Sequence, residues 1–193
     1  MPTDDITTRT RTVADGLTRT VEAVADDAWD RPAPCDGWVA RDVVDHLVGW
    51  MPPFFLEGWD RPVPDIPSTR TDPVGAWHAL RNALLAALDD PTAGAARSTP
   101  MGEVTLTQAW ETVGLPDLLV HTWDLARATG QDERLDPDEV ARLAEAADNM
   151  DPATDEAMRA SGHYGPRVEV GPDADAQTRV LAFVGRIARD TSL

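Results

Sequence analysis

Trp110, Val113, Asp117, His121, Asp124 and Ala128 follow one another at steps of three and four, and the middle of that run is polar. Such steps place successive side chains on one face of an α-helix, so two carboxylates and an imidazole continue a face that opens with tryptophan and valine. An unpaired carboxylate on a core face costs several kcal/mol or is forced to neutralise, so the fold has to bring it a cationic partner. A second acid–imidazole pair, Asp45-His46, falls in the run Val39, Val43, Leu47, Trp50, Phe54, again at helical steps. The pattern marks that face as core as well.

Helical stripes account for most of the chain. Ile6, Val13, Leu17, Val21 and Val24 define a first helix ending near Trp29, ahead of Arg31-Pro32-Ala33-Pro34. Pro34 to Trp38 reads as a turn, and the second helix runs from Val39 to Phe54. Pro62, Pro64 and Pro67 make Gly58 to Thr71 an irregular crossover that permits a non-meander connection. Asp72-Pro73 caps a third helix with the stripe Val74, Trp77, Leu80, Leu84, Leu88, closed by Asp90-Pro91 and Gly94. Gly102 to Leu106 is expected to pair weakly with 97–101. A fourth helix extends from Thr107 to Gly130, with a kink expected between Thr112 and Pro116, because proline removes a helical hydrogen bond and crowds the preceding turn. Asp136-Pro137 starts a fifth helix through Met150, Asp151-Pro152 restarts it, Arg167 to Val170 is a candidate strand, and Ala174 to Arg189 is a terminal helix. With so few strand-like segments, an all-α bundle is the economical architecture.

The chain of 193 residues is long enough to bury a substantial core without staples. Cys35, the single cysteine, excludes an intramolecular disulfide and a cysteine-rich zinc site, and fits a reducing compartment. The N-terminus Met1-Pro2-Thr3-Asp4-Asp5 is acidic where a secretory signal is basic, and no apolar run approaches a membrane span, so a cytoplasmic protein is expected. The formal net charge is −17 and arginine supplies every basic side chain. Such a surface repels nucleic acid and anionic membranes. Arg9, Arg11 and Arg19, diluted by neighbouring acids, read as solvated helix-face charges.

Asp117 and His121, at i and i+4, have β-carbons about 5–6 Å apart and can reach one ion. His46 lies three residues after Val43 and four before Trp50, on the inward face of the second helix. Two imidazoles and one carboxylate from facing helices form a three-ligand set with positions left for water or substrate. A hydrogen-bonded Asp117–His121 pair in the core, with His46 near a boundary, uses the same residues without metal. Asp124 either accepts from a ligand imidazole or pairs with Arg127 at i+3. His78 reads as a solvated helix residue, His163 as a loop histidine and Cys35 as a small packed side chain. Trp38, Trp50, Trp110 and Trp123 are either a pocket wall or core.

Two blocks carry a family resemblance: Pro34-Cys35-Asp36-Gly37-Trp38-Val39-Ala40-Arg41-Asp42-Val43-Val44-Asp45-His46-Leu47, and Asp117-Leu118-Leu119-Val120-His121 through Thr122-Trp123-Asp124-Leu125-Ala126-Arg127-Ala128-Thr129-Gly130. They resemble the signature blocks of the DinB-like, mycothiol-dependent maleylpyruvate isomerase-type proteins. Gly165-Pro166 and the stretch Ala174 to Arg186 resemble the C-terminal tail of one subgroup. The resemblance implies a DinB-like four-helix bundle with a long crossover and a small C-terminal helical extension: one domain over 1–193, with 131–193 packing on the bundle. It also implies a divalent metal, zinc or nickel, held by His46, Asp117 and His121. The acid position is often Glu or His in relatives, and Asp is a methylene shorter. The implied activity is thiol chemistry with a low-molecular-weight thiol such as mycothiol, as a transferase or isomerase acting on small electrophiles. The alternative is a non-catalytic metal- or ligand-binding or sensing protein of the same fold. The resemblance assigns no catalytic residue and no thiol contact, and leaves a homodimer open.

Overall fold

The apolar stripes become four long helices. The structure, a computed structural model, describes residues 5–99, 102–160, 162 and 164–187; His163 lies outside the described residues. The chain divides into two units, Met1–Arg134 and Leu135–Leu193.

In the first unit, α1 (Ile6–Glu22) buries Val13, Ala14, Leu17 and Val21. It stops well short of Trp29. Continuing it would set Asp26 and Asp27 at the negative end of the helix dipole, and the chain turns there instead, still burying Ala28 and Trp29. The turn 34–38 is closed by Trp38 N–H donating to the Cys35 carbonyl, with Gly37 at φ 75°, and Pro32 and Val39 form an antiparallel bridge. α2 (Ala40–Met51) begins where Asp42 accepts from Val39 N–H at 2.8 Å. Pro52 and Pro53 remove two consecutive donors, so the α-helical register gives way to a π turn over Pro52–Leu56 and a 3-10 turn over Glu57–Trp59.

The crossover is irregular, as its prolines require, and Arg41 pins it by donating to the carbonyls of Thr69 and Arg70 at 2.8 and 3.2 Å. α3 (Pro73–Asp89) is capped by Asp72, which accepts from Gly75 N–H at 2.8 Å. A small antiparallel hairpin, β1 (Arg97–Thr99) and β2 (Gly102–Val104), follows. α4 (Leu106–Ala109) opens with a Thr105–Gln108 capping box. A π turn over Trp110–Gly114 then leads into α5 (Leu115–Thr129), which Gly130 ends in the left-handed region at φ 74°. The expected kink region is therefore a change of helical register, with Pro116 in the first turn of α5, where its missing N–H costs least.

α1 packs on α3 and α5, and α2 packs on the same two helices. The four form a ring in which α1 and α2 stand diagonally. The non-meander steps are thus α1 to α2 and α3 to α5, whereas the Pro-rich crossover joins neighbours. α1 threonines anchor two buried indoles across the core: Trp77 donates to Thr18 at 2.9 Å and Trp110 to Thr10 at 2.8 Å. Arg9 and Arg11, expected to be solvated, pair with Glu111 and Asp89. They tie α1 to the π turn and to α3.

In the second unit, α6 (Pro137–Asp148) packs on α8 (Ala176–Phe183), with α7 (Pro152–Ala160) between them in sequence. Asp136 and Asp175 cap α6 and α8. No strand forms at 167–170, where Val168 donates one backbone hydrogen bond to Ala182, too little to make a ladder. α8 is shorter than its stripe because Gly185 turns left-handed at φ 83°. Arg159 and Arg167 both lie over the Phe183 ring, at 5.2 and 4.5 Å. The architecture is all-α apart from the hairpin, consistent with a DinB-like bundle. Among the described residues, no helix is long and apolar enough to cross a membrane.

Candidate metal centre

α2 and α5, neighbours in the ring, bring His46, Asp117 and His121 together. His46 Nε2 lies 3.5 Å from Asp117 Oδ2, and His121 Nε2 lies 3.3 Å from Asp117 Oδ1. The three side chains offer donor atoms that all lie within 4.8 Å of one another. Two donors each 2.0–2.2 Å from a common ion, at tetrahedral to octahedral angles, stand about 3–3.5 Å apart. The short Asp117 side chain reaches both imidazoles, so the donor set fits a divalent cation without a longer acid.

The cluster is open on one side. The His46 and Asp117 side chains are 32% and 26% exposed, while that of His121 is 6% exposed and that of Asp124 fully buried. Trp50 donates its indole N–H to Asp117 Oδ2 at 3.1 Å, fixing the carboxylate from the α2 side. Trp38 stacks on His121 with centroids 5.9 Å apart and planes 15° apart, and also meets His46 at 5.1 Å. Behind the cluster, Asp124 Oδ2 lies 2.9 Å from His121 Nδ1, which leaves Nε2 facing Asp117.

Burial disfavours charge on both members of the central pair, and their mutual attraction outweighs it. For Asp117, the His121 charge and hydrogen bonds from His121 and His46 hold the carboxyl well below the usual carboxylate range. For His121, the charge and hydrogen bond of Asp117, reinforced by Asp124, push the imidazole up to about 9. Both shifts favour a carboxylate–imidazolium pair in the ion-free site, and a divalent ion would take the place of the imidazolium proton.

Several candidates fall elsewhere. Asp45 is exposed, not core: it accepts from the Thr69 hydroxyl and lines a surface cleft of about 350 Å³ with Arg41, Thr69 and Arg70. One residue earlier on the helix than His46, it points about 100° away from it. His78 pairs with Glu22 at 3.0 Å. Arg127 pairs with Glu133 at 3.0 Å and lies over the Trp123 ring. Of the four tryptophans, Trp38 and Trp50 stand at the site and Trp110 and Trp123 are buried core. Cys35, read as packing, sits with its Sγ 3.4 Å from Asp124 Oδ2. The only sequence hint of that meeting was the presence of Cys35 and Asp124 in the two family-like blocks.

The profile of the mycothiol maleylpyruvate isomerase N-terminal domain matches residues 10–52, which hold most of α1 and the α2 stretch with His46. Two uncharacterised proteins of Mycobacterium tuberculosis, from two strains, are each 32% identical to the chain over 161 residues, covering 82% of it and 85% of the relative. No solved structure matches. By the profile match over α1 and α2, the chain belongs to the DinB-like, mycothiol maleylpyruvate isomerase-type family.

Proposed function

We propose that the protein binds one divalent metal, zinc or nickel, through His46, Asp117 and His121, and uses it with a mycothiol-type thiol to transfer that thiol to small electrophiles or to isomerise them. The carrying observation is the one-sided opening: His121 is anchored in the core while His46 and Asp117 meet solvent. Three protein donors with a free face are the arrangement of catalytic rather than structural metal sites. When bound, a divalent cation there would hold a coordinated thiol as thiolate at neutral pH. Such a thiolate would add to an activated double bond to give an enolate. Rotation about the new single bond and re-expulsion of the thiolate by the enolate would complete isomerisation, whereas protonation of the enolate by water would leave the thiol attached, which is S-transfer. Asp117, held by Trp50 and His121, keeps its carboxylate charged at the open face, and Trp38 stands parallel to the buried His121 ring. The reading places the protein in the cytoplasm, with small molecules as partners and neither nucleic acid nor membrane.

A second reading, a binding or sensing bundle without turnover, draws on the same Asp117–His121 pair, whose opposite charges satisfy each other without an ion. Elemental analysis of protein purified without a metal-affinity column tests the site: about one divalent ion per chain is expected, and none in His121→Ala. Stoichiometric metal in that variant overturns the ligand set. Thiol-dependent turnover of electrophiles by the metal-loaded protein, lost in His121→Ala, separates catalysis from binding. A further rise in melting temperature when thiol joins zinc or nickel shows that the open face accepts the thiol.

A further inference from the structure

The 34–38 turn holds His121 by two routes. Trp38 stands nearly parallel to its ring with centroids 5.9 Å apart, and Cys35, three residues earlier in the same turn, reaches Asp124. One Asp124 oxygen, Oδ2, faces both the Cys35 thiol at 3.4 Å and His121 Nδ1 at 2.9 Å. Asp124 is fully buried, so its carboxyl oxygens need the donors aimed at them. His121 Nδ1–H is one such donor and the thiol S–H is another.

We infer that Cys35 is a positioning residue: its thiol donates to Asp124, and Asp124 in turn holds the Nδ1–H of His121 so that Nε2 is presented to the metal. The inference rests on the metal reading above and adds to it a third residue in a chain running from turn to helix to ligand. The cysteine acts as a hydrogen-bond donor, with no covalent step. Serine keeps a donor at the same position, whereas alanine removes it and takes one partner away from the carboxylate oxygen. Partners standing behind a ligand imidazole typically tune metal affinity about 10–100-fold, and Cys35 stands one hydrogen bond further out, so an effect of about three- to tenfold is expected.

The test is zinc affinity by competition with a chromophoric chelator, for wild type, Cys35→Ala, Cys35→Ser, Asp124→Ala and the double variant that combines Cys35→Ala with Asp124→Ala. Cys35→Ala should weaken zinc about three- to tenfold, and Cys35→Ser should return to within about twofold of wild type. In the Asp124→Ala background the alanine change at Cys35 should add nothing, because the acceptor it serves is already gone. Equal weakening by alanine and serine, or an alanine effect that persists in the double variant, overturns the proposal. In the metal-free protein, the Nδ1 proton of His121 should give a downfield proton resonance in wild type and Cys35→Ser that is lost or shifted in Cys35→Ala. An unchanged resonance in Cys35→Ala overturns it. Wild-type protein that binds no zinc sinks the metal reading instead, and the Nδ1 resonance then decides on Cys35 by itself.

Discussion

Asp117 and His121 are the residues on which charge and burial collide, and the pH response of the protein follows from them. His121 has its imidazole raised from 6.5 to about 9 in the folded chain. A raised value stabilises the fold fully below about 6.5, and that contribution is lost as pH rises towards 9. Asp117 is shifted the other way, so its contribution is present above about 3.8 and is lost as the solution is made more acidic. The metal-free protein is therefore expected to be most stable from about pH 4 to 6.5 as far as this pair is concerned. Zinc bound as proposed would have to displace the His121 proton, so its stabilising effect should run in the opposite sense and grow between about pH 6.5 and 9. Thermal melts with and without zinc at several pH values check both trends. A zinc-induced shift that is flat across that window would show that His121 is not the group giving up a proton.

At the scale of elements, the two π turns are where sequence and structure meet most closely. The first opens on two prolines, and the second ends two residues before Pro116. Gly114, the last residue of the second, is held against two rings: a Cβ there would stand 2.3 Å from Trp110 Cε3 and 2.8 Å from Phe55 Cζ. Helix propensity alone favours alanine over glycine by about 1 kcal/mol. The clash is with core aromatics that have nowhere to go, and overpacking of that kind costs about 1–3 kcal/mol. Gly114→Ala should therefore lower stability in urea unfolding, against the propensity trend. A neutral or stabilising result would mean that the π turn relaxes freely. The helical stripes and proline stops placed α2, α3 and α6 within a few residues, and the Asp72 and Asp136 caps were legible too, whereas α1 ends well before its expected stop. The periodicity did not reveal how deeply α5 is buried: Leu118 to Ala126 are buried without a break, so the helix has no solvent face along that stretch. A stripe records which face is inward only when another face is outward.

Over the whole molecule, 34 acidic side chains oppose 17 basic ones, and such an excess strains the compact state by self-repulsion. Raising salt from low ionic strength to about 0.1 M shortens the screening length to about 10 Å and should raise the melting temperature. A gain of about 1 kcal/mol would appear as about 2–4 °C for a chain of this size. A fall would mean that the ion pairs of Arg9, Arg11 and their like outweigh the net repulsion. The all-α character, the irregular crossover and the pairing of Asp117 with His121 are all legible along the chain, because each follows from local spacing within one segment. The tertiary structure decided which helices are neighbours, that Asp45 faces solvent while His46 faces Asp117, and that a turn cysteine reaches a carboxylate 89 residues away. Those contacts depend on the relative rotation and order of packed helices, a property of the ring of four that no single segment encodes.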